Sequence, residues 1–327
     1  MTRMPLTAVI EASPAPPRRA AGVLRAVAIA SCLPYLGLKA AWIAGSPVGI
    51  PAGSLLLRHR ALMVVANSVT VVMDSAVIVL ALLLTRPWGR RVPSWLLAVP
   101  MWGAGGLLLP IMVGFPVQLL LKGVTGESGP AADGGGEFLR PWVFGVVYTG
   151  FIVQGLALGA LFVRYARERW GHLWRGRTRD LPDGSAWLRA TAVAAAVLAL
   201  FPAVLHILWA LGATTGLTGA QAAGRGPDFP ALQILDALYP VAAVAGVLML
   251  VLRRGHTVPV RLPLGMAWLG SGAAGCWGAW LLIAAVLPGA EHGPRTSQLA
   301  TLSYAVSMTV GLLVIVCTSA VLRRRGA

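Results

Sequence analysis

Eight apolar runs, each about as long as a helix needs to be to cross a bilayer, alternate along the chain with short segments in which arginine, glycine and proline collect. Spanning roughly 30 Å of hydrocarbon at about 1.5 Å per residue takes about 20 residues. Runs of that size fall near 22–44, 61–85, 94–116, 141–163, 188–212, 231–252, 263–287 and 298–322. The pattern predicts an all-α polytopic membrane helix bundle with eight transmembrane helices.

The runs repeat one another. Lys39, Trp42, Gly45 and Gly49 recur in spacing as His206, Trp209, Gly212 and Gly216, an offset of 167 residues that also carries Arg86 onto Arg253 and Gly103 onto Gly270. In the last pair of runs Tyr148, Gly155 and Arg167 map to Tyr304, Gly311 and Arg323 at an offset of 156. The difference of 11 falls in the loops, where a segment of about 117–140 with Gly134, Gly135 and Gly136 faces a shorter one of about 288–297. Insertion confined to a loop is what a duplicated scaffold tolerates. Four spans per copy bring both copies into the membrane in the same direction, so the expected architecture is two parallel four-helix repeats. The predicted units are a disordered cytoplasmic tail at 1–20, a first unit at 21–167, a basic connecting loop at 168–187 and a second unit at 188–327. The paired glycines read either as helix-packing residues or as a turn, and Pro47 with the end-of-run position favours the turn. Pro34 and Pro202 lie inside the first run of each unit and predict kinks.

Composition agrees with a membrane protein: 57% of residues are hydrophobic, 12% are charged, and the mean hydropathy is +0.75. A formal net charge of +16 would point to nucleic acid in a soluble chain. Here the basic loops are short, lie against the apolar runs and contain no recognition module, which excludes that partner. With both termini cytoplasmic, one side of the membrane collects 20 arginines against four acidic residues, and the other six cations against five. That bias satisfies the positive-inside rule and predicts a plasma-membrane protein in this orientation. The longest basic segment, Arg164 to Arg189, carries Trp170, Trp174 and Trp187. It fits anionic headgroups at the cytoplasmic face, or simply a loop that sets topology.

Ionisable groups within the runs are the candidate chemistry. A charge at the centre of a spanning helix costs about 2.5–3.5 kcal/mol on insertion scales. Counting about 1.5 Å per residue from the outer ends puts Lys39, His206 and Asp236 at one depth, roughly 8–9 Å in, and Asp74 deeper, roughly 20 Å in and level with Gln154. Depth alone therefore groups Asp236 with His206 or Lys39, and Asp74 with Gln154. Asn67, Tyr148, Tyr239 and Tyr304 are further polar neighbours. Such a set can line a polar cavity between the units, with Asp74 or His206 exchanging protons and Lys39 holding an anionic group. Each residue also has a plain structural role open to it: Lys39 can snorkel, His206 can be a satisfied core residue and Asp236 can lie in the interface.

No HExxH, phosphate-binding lysine loop or nucleophile elbow occurs, and the three cysteines, Cys32, Cys276 and Cys317, all lie in apolar runs. No metal site, cofactor or disulfide framework is expected, and catalysis is disfavoured. Ile29 to Cys32 has the form of a lipoprotein box, but Arg25 interrupts the apolar run before it, so a plain first span is expected. The function classes left are a small-molecule transporter or exporter with its site between the repeats, and a non-transporting scaffold or partner subunit of a signalling or envelope system.

Pro34, Tyr35, Leu38, Lys39, Trp42 and Gly45, followed by Thr85, Arg86, Pro87, Trp88, Gly89 and Pro93, resemble a group of multi-pass integral membrane proteins of high-GC actinobacteria with no known activity. The resemblance covers most of the first unit and is weaker in the second, where His206 replaces lysine. It carries no activity and no functional residue over to this chain.

Overall fold

Each apolar run forms one long helix in the computed structural model, which describes residues 18–54, 57, 60–125, 139–286 and 296–326. Among these residues the long helices are α1 (Arg18–Ile43), α2 (Arg60–Thr85), α3 (Ser94–Thr125), α4 (Pro141–Trp170), α5 (Ala186–Ala210), α6 (Phe229–Val251), α7 (Arg261–Val286) and α8 (Gln298–Gly326). All eight are long and apolar enough to cross a membrane, so the chain is a multi-pass integral membrane protein whose surroundings are a lipid bilayer.

Several expected boundaries change. The tail expected at 1–20 overlaps α1, since Arg18, Arg19 and Ala20 are already helical, while residues 1–17 lie outside the described residues. Past the last proline of that segment nothing opposes helix formation. Within the first unit, α3 continues beyond 116 to Thr125 and passes through Pro100, Pro110 and Pro116. A proline deletes one backbone donor, and packed neighbours can hold the helix through it. Here Gln118 Nε2 donates to Asp228 Oδ2 at 2.8 Å and ties the added turns to the start of α6. Lys122, expected in a loop, is therefore a buried helical residue. Residues 126–138 and 287–295, where the length difference between the units was expected, lie outside the described residues.

In the first four helices, α1 packs on α2 and α4, and α4 also contacts α2 and α3. In the second four, α5 packs on α6 and α8, while α7 lies between α6 and α8. The two sets meet chiefly through α3 and α7. At that crossing a Cβ on Gly106 would stand 2.3 Å from the carbonyl oxygen of Gly272, so the backbones touch. Trp102 Nε1 donates to Ser271 Oγ at 3.0 Å beside it.

The turns that end α1 and α5 share one geometry. Gly45 has φ +96° and donates to Trp42 O at 3.0 Å, and Ser46 N donates to Ala41 O at 2.9 Å. Gly212 has φ +98° and donates to Trp209 O at 3.1 Å, and Ala213 N donates to Leu208 O at 2.9 Å. Both are Schellman caps, whose left-handed residue is nearly always glycine. Each tryptophan then closes the following turn through its indole N–H, Trp42 to Val48 O at 2.7 Å and Trp209 to Thr215 O at 2.9 Å. Gly49 and Gly216 complete those turns at φ +73° and +75°. They press against Val143 and Leu299, near the starts of α4 and α8. The glycines are turn residues, not a packing stripe within a helix.

The arginine-rich loops form a fixed layer at the opposite end. Arg90 and Arg164 both pair with Glu168, and Arg253 pairs with Asp183 at 2.5 Å. The segment expected as a connecting loop at 168–187 begins as the end of α4 and is pinned to the α6–α7 connection. Thr178 N donates to Val258 O, Thr178 Oγ1 to Gly255 O, and Leu181 is buried.

Candidate functional site

Lys39, Asp74, His206 and Asp236 fall into two clusters, one in each set of four helices. The first is enclosed by α1, α2 and α4. Lys39 is 2% exposed, so its ammonium turns into the bundle and does not snorkel. It donates to Thr70 Oγ1 and sits 4.1 Å from the centre of the Tyr35 ring, a cation–π contact. Asp74 is 6% exposed and close enough to act electrostatically on Lys39. No hydrogen-bond partner among the described residues reaches its Oδ2. Gln154, 2% exposed, accepts from Cys32 Sγ at 3.4 Å and so joins α4 to α1.

The second cluster opens onto a cavity of about 300 Å³ bounded by α3, α4, α5, α6, α7 and α8. His206 Nδ1 lies 2.7 Å from Gln233 Oε1, and the imidazole stands edge-on to Trp209 with centroids 5.1 Å apart. Because Oε1 only accepts, Nδ1 carries the hydrogen, and in the neutral ring Nε2 remains an acceptor. Asp236 is within electrostatic reach of His206, Tyr239 and Tyr304. Tyr239 Oη is buried without a hydrogen-bond partner among the described residues. Tyr148 belongs to the first four helices but lines the same cavity, where it meets Phe115 edge to face at 4.8 Å.

Depth and position around the bundle give different groupings. By depth, Lys39 goes with His206 and Asp236, and Asp74 with Gln154. The structure keeps His206 with Asp236, because α5 packs on α6, but places Lys39 with Asp74, because α1 packs on α2. Gln154 faces Cys32 instead of Asp74. Asn67 bonds its own helix at Met63 O.

Two participants were missed and had a local signal. Thr70 is four residues before Asp74 and Gln233 three before Asp236, so each shares a helix face with its acid. Trp277, across the cavity on α7, had none. No family model, curated protein or solved structure matches the chain.

Proposed function

We propose that the chain is a plasma-membrane transporter or exporter of a small molecule whose binding site is the cavity between two duplicated four-helix units, with both termini cytoplasmic. The observation that carries this reading is the cavity itself. It brings an imidazole and a carboxylate together inside apolar helices, and residues from both units line it. Intramembrane ionisable groups facing a cavity are characteristic of solute pathways. The duplication is supported by the shared turns of α1 and α5 and by the contact of α3 with α7, its counterpart under the 167-residue offset. The orientation rests on the side bearing most of the arginines, where Arg86 to Arg91, Arg164 to Arg189, Arg253 and Arg323 to Arg325 also offer charge to anionic headgroups.

Single cysteines at 206, 236, 39 and 74 in a cysteine-free background, treated from outside with a membrane-impermeant thiol reagent, test it. Positions 206 and 236 react, while 39 and 74, sealed within the first unit, do not. Inert cysteines at 206 and 236 in folded protein would remove the basis for a solute site.

A second reading, a non-transporting scaffold or partner subunit, draws on one observation. Val72 and Val79 on α2 and Val99 on α3, two helices that barely touch, are 69%, 50% and 59% exposed. A partner helix could cover them, and the protein would then copurify with a stoichiometric membrane partner and have inert cavity cysteines.

A further inference from the structure

We infer that the cavity between the units takes a small organic monocation, an amine or quaternary ammonium, held by Asp236 and an aromatic wall. This deepens the proposed solute site and rests on it. Five aromatic side chains line the space, Phe115, Tyr148, Tyr239, Trp277 and Tyr304, contributed by five different helices. Aromatic faces carry negative potential, and an enclosed set of them attracts a cation whose water has been removed. The formal charge points the same way. Asp236 lines the cavity, and among its described lining residues there is neither lysine nor arginine. The one basic lining group, His206, has its Nδ1 hydrogen committed to Gln233. Its Nε2 in the neutral ring, the Asp236 carboxylate and the unpartnered Tyr239 hydroxyl are all acceptors toward an N–H donor.

Behind the lining the formal charges offset, with Asp228 on one side and Lys122, buried one turn beyond Gln118 on α3, on the other. Asp228 accepts from Gln118, itself a lining residue, at 2.8 Å. An organic anion would meet the Asp236 carboxylate and, among the described lining residues, no lysine or arginine. Size narrows the class further, because about 300 Å³ is the lower end of the roughly 300–1,000 Å³ typical of small-molecule sites. A single-ring amine fits that space, and a lipid does not.

The experiment uses the full chain in nanodiscs and compares three probes by isothermal titration: benzyltrimethylammonium, benzyl alcohol and benzoate. The cation binds at least tenfold more tightly than either of the others, and Asp236→Asn weakens it about tenfold. Trp277→Leu weakens it several-fold without changing the charge, and Asp183→Asn, at the far end of the molecule, leaves it unchanged. The ranking of the three probes on the unmodified protein stands even if Asp236→Asn fails to fold.

Benzoate binding as well as the cation, or full cation affinity in folded Asp236→Asn, overturns the cation class and leaves the solute-site reading in place. Failure of every probe to bind while cysteines at 206 and 236 react with the impermeant reagent does the same. If no probe binds and those cysteines are inert, the solute site falls and this inference falls with it.

Discussion

In the second set of four helices α6 and α7 meet backbone to backbone, whereas in the first α2 and α3 barely touch. Gly246 and Gly270 make the close approach. A Cβ on Gly246 would stand 2.5 Å from Pro263 O, and one on Gly270 would stand 2.6 Å from Ala243 N. The residue 167 positions before Gly270, Gly103, has nothing within 4 Å of the same point, and that before Gly246 is Val79, half exposed. Topology is shared, and small residues decide which helices close. Drawn away from α3, α2 seals Lys39 and Asp74 against α1 and α4. Drawn onto α7, α6 turns Asp236 toward the space beside α3. The two halves therefore handle buried charge oppositely, one enclosing a lysine and an acid within electrostatic reach of each other and the other exposing its acid to a cavity.

The largest effect expected from this contrast comes from the enclosed pair. Lys39→Met leaves the buried Asp74 carboxylate without the cation within its electrostatic reach, and an uncompensated buried polar group costs about 1–3 kcal/mol, more when it is charged. Thermal denaturation in detergent shows a large fall in midpoint for Lys39→Met and recovery of most of it in Lys39→Met with Asp74→Leu. His206→Gln, beside a cavity that admits water, costs much less. Equal losses at 39 and 206 would mean that the two clusters are not differently enclosed.

Next in size is the helix closure. Gly270→Ala forces a methyl into the backbone of α6, and overpacking of this kind costs about 1–3 kcal/mol. Gly103→Ala meets no neighbour, and the better helix propensity of alanine makes it neutral or stabilising by up to about 1 kcal/mol. Opposite signs of the midpoint shift are the expected result. A loss at Gly103 matching that at Gly270 would show that α2 and α3 close on each other in the membrane.

How much of this could be read beforehand differs by level. The spans were legible because 20 apolar residues have few alternatives to a crossing helix. Trp42, Gly45 and Gly49 announced a turn by their place at the end of a run, and their recurrence as Trp209, Gly212 and Gly216 announced it twice. The end of α3 was not legible, because Pro116 reads as a terminator and the bond from Gln118 to Asp228 that holds the helix through it is 110 residues long in sequence. Cluster membership failed for another reason. Rise per residue measures depth and says nothing of which helices are neighbours, so depth left Asp236 open to His206 or Lys39, and only the packing of α1 on α2 and of α5 on α6 separates the two. The opening between α2 and α3 lay beyond reach too, since Gly103 and Gly270 look alike until their neighbours are placed.

The turns are where the halves agree, and they give a third comparison with equal outcomes expected. A methyl on Gly49 would lie 2.4 Å from Val143 Cγ2, and one on Gly216 2.3 Å from Leu299 Cδ2. Both positions also have φ values that disfavour a side chain. Gly49→Ala and Gly216→Ala should each destabilise by about 1–2 kcal/mol, from strain of the order expected for a non-glycine residue in the left-handed region. Matching falls in the thermal midpoint sharpen the equivalence of the turns, and a loss at one position alone breaks it.

The smallest effect isolates the indole hydrogen bonds that close those turns. Trp42→Phe and Trp209→Phe keep an aromatic ring but remove the donor to Val48 O and to Thr215 O, respectively. A neutral hydrogen bond contributes about 1 kcal/mol net. Both rings are nearly buried, at 6% and 4% exposure, so the lost contact area is similar on the two sides. The surroundings differ: Trp42 clusters with Val143 and Met63, while Trp209 stands edge-on to His206, a cavity residue. The stability losses should therefore match, and only Trp209→Phe should also loosen His206 and weaken binding of benzyltrimethylammonium. Thermal midpoint and cation affinity measured on the same two variants separate the roles. Equal stability losses with a binding defect confined to Trp209→Phe are expected, and a binding defect of the same size in Trp42→Phe would show that the turn of the enclosed unit also shapes the site.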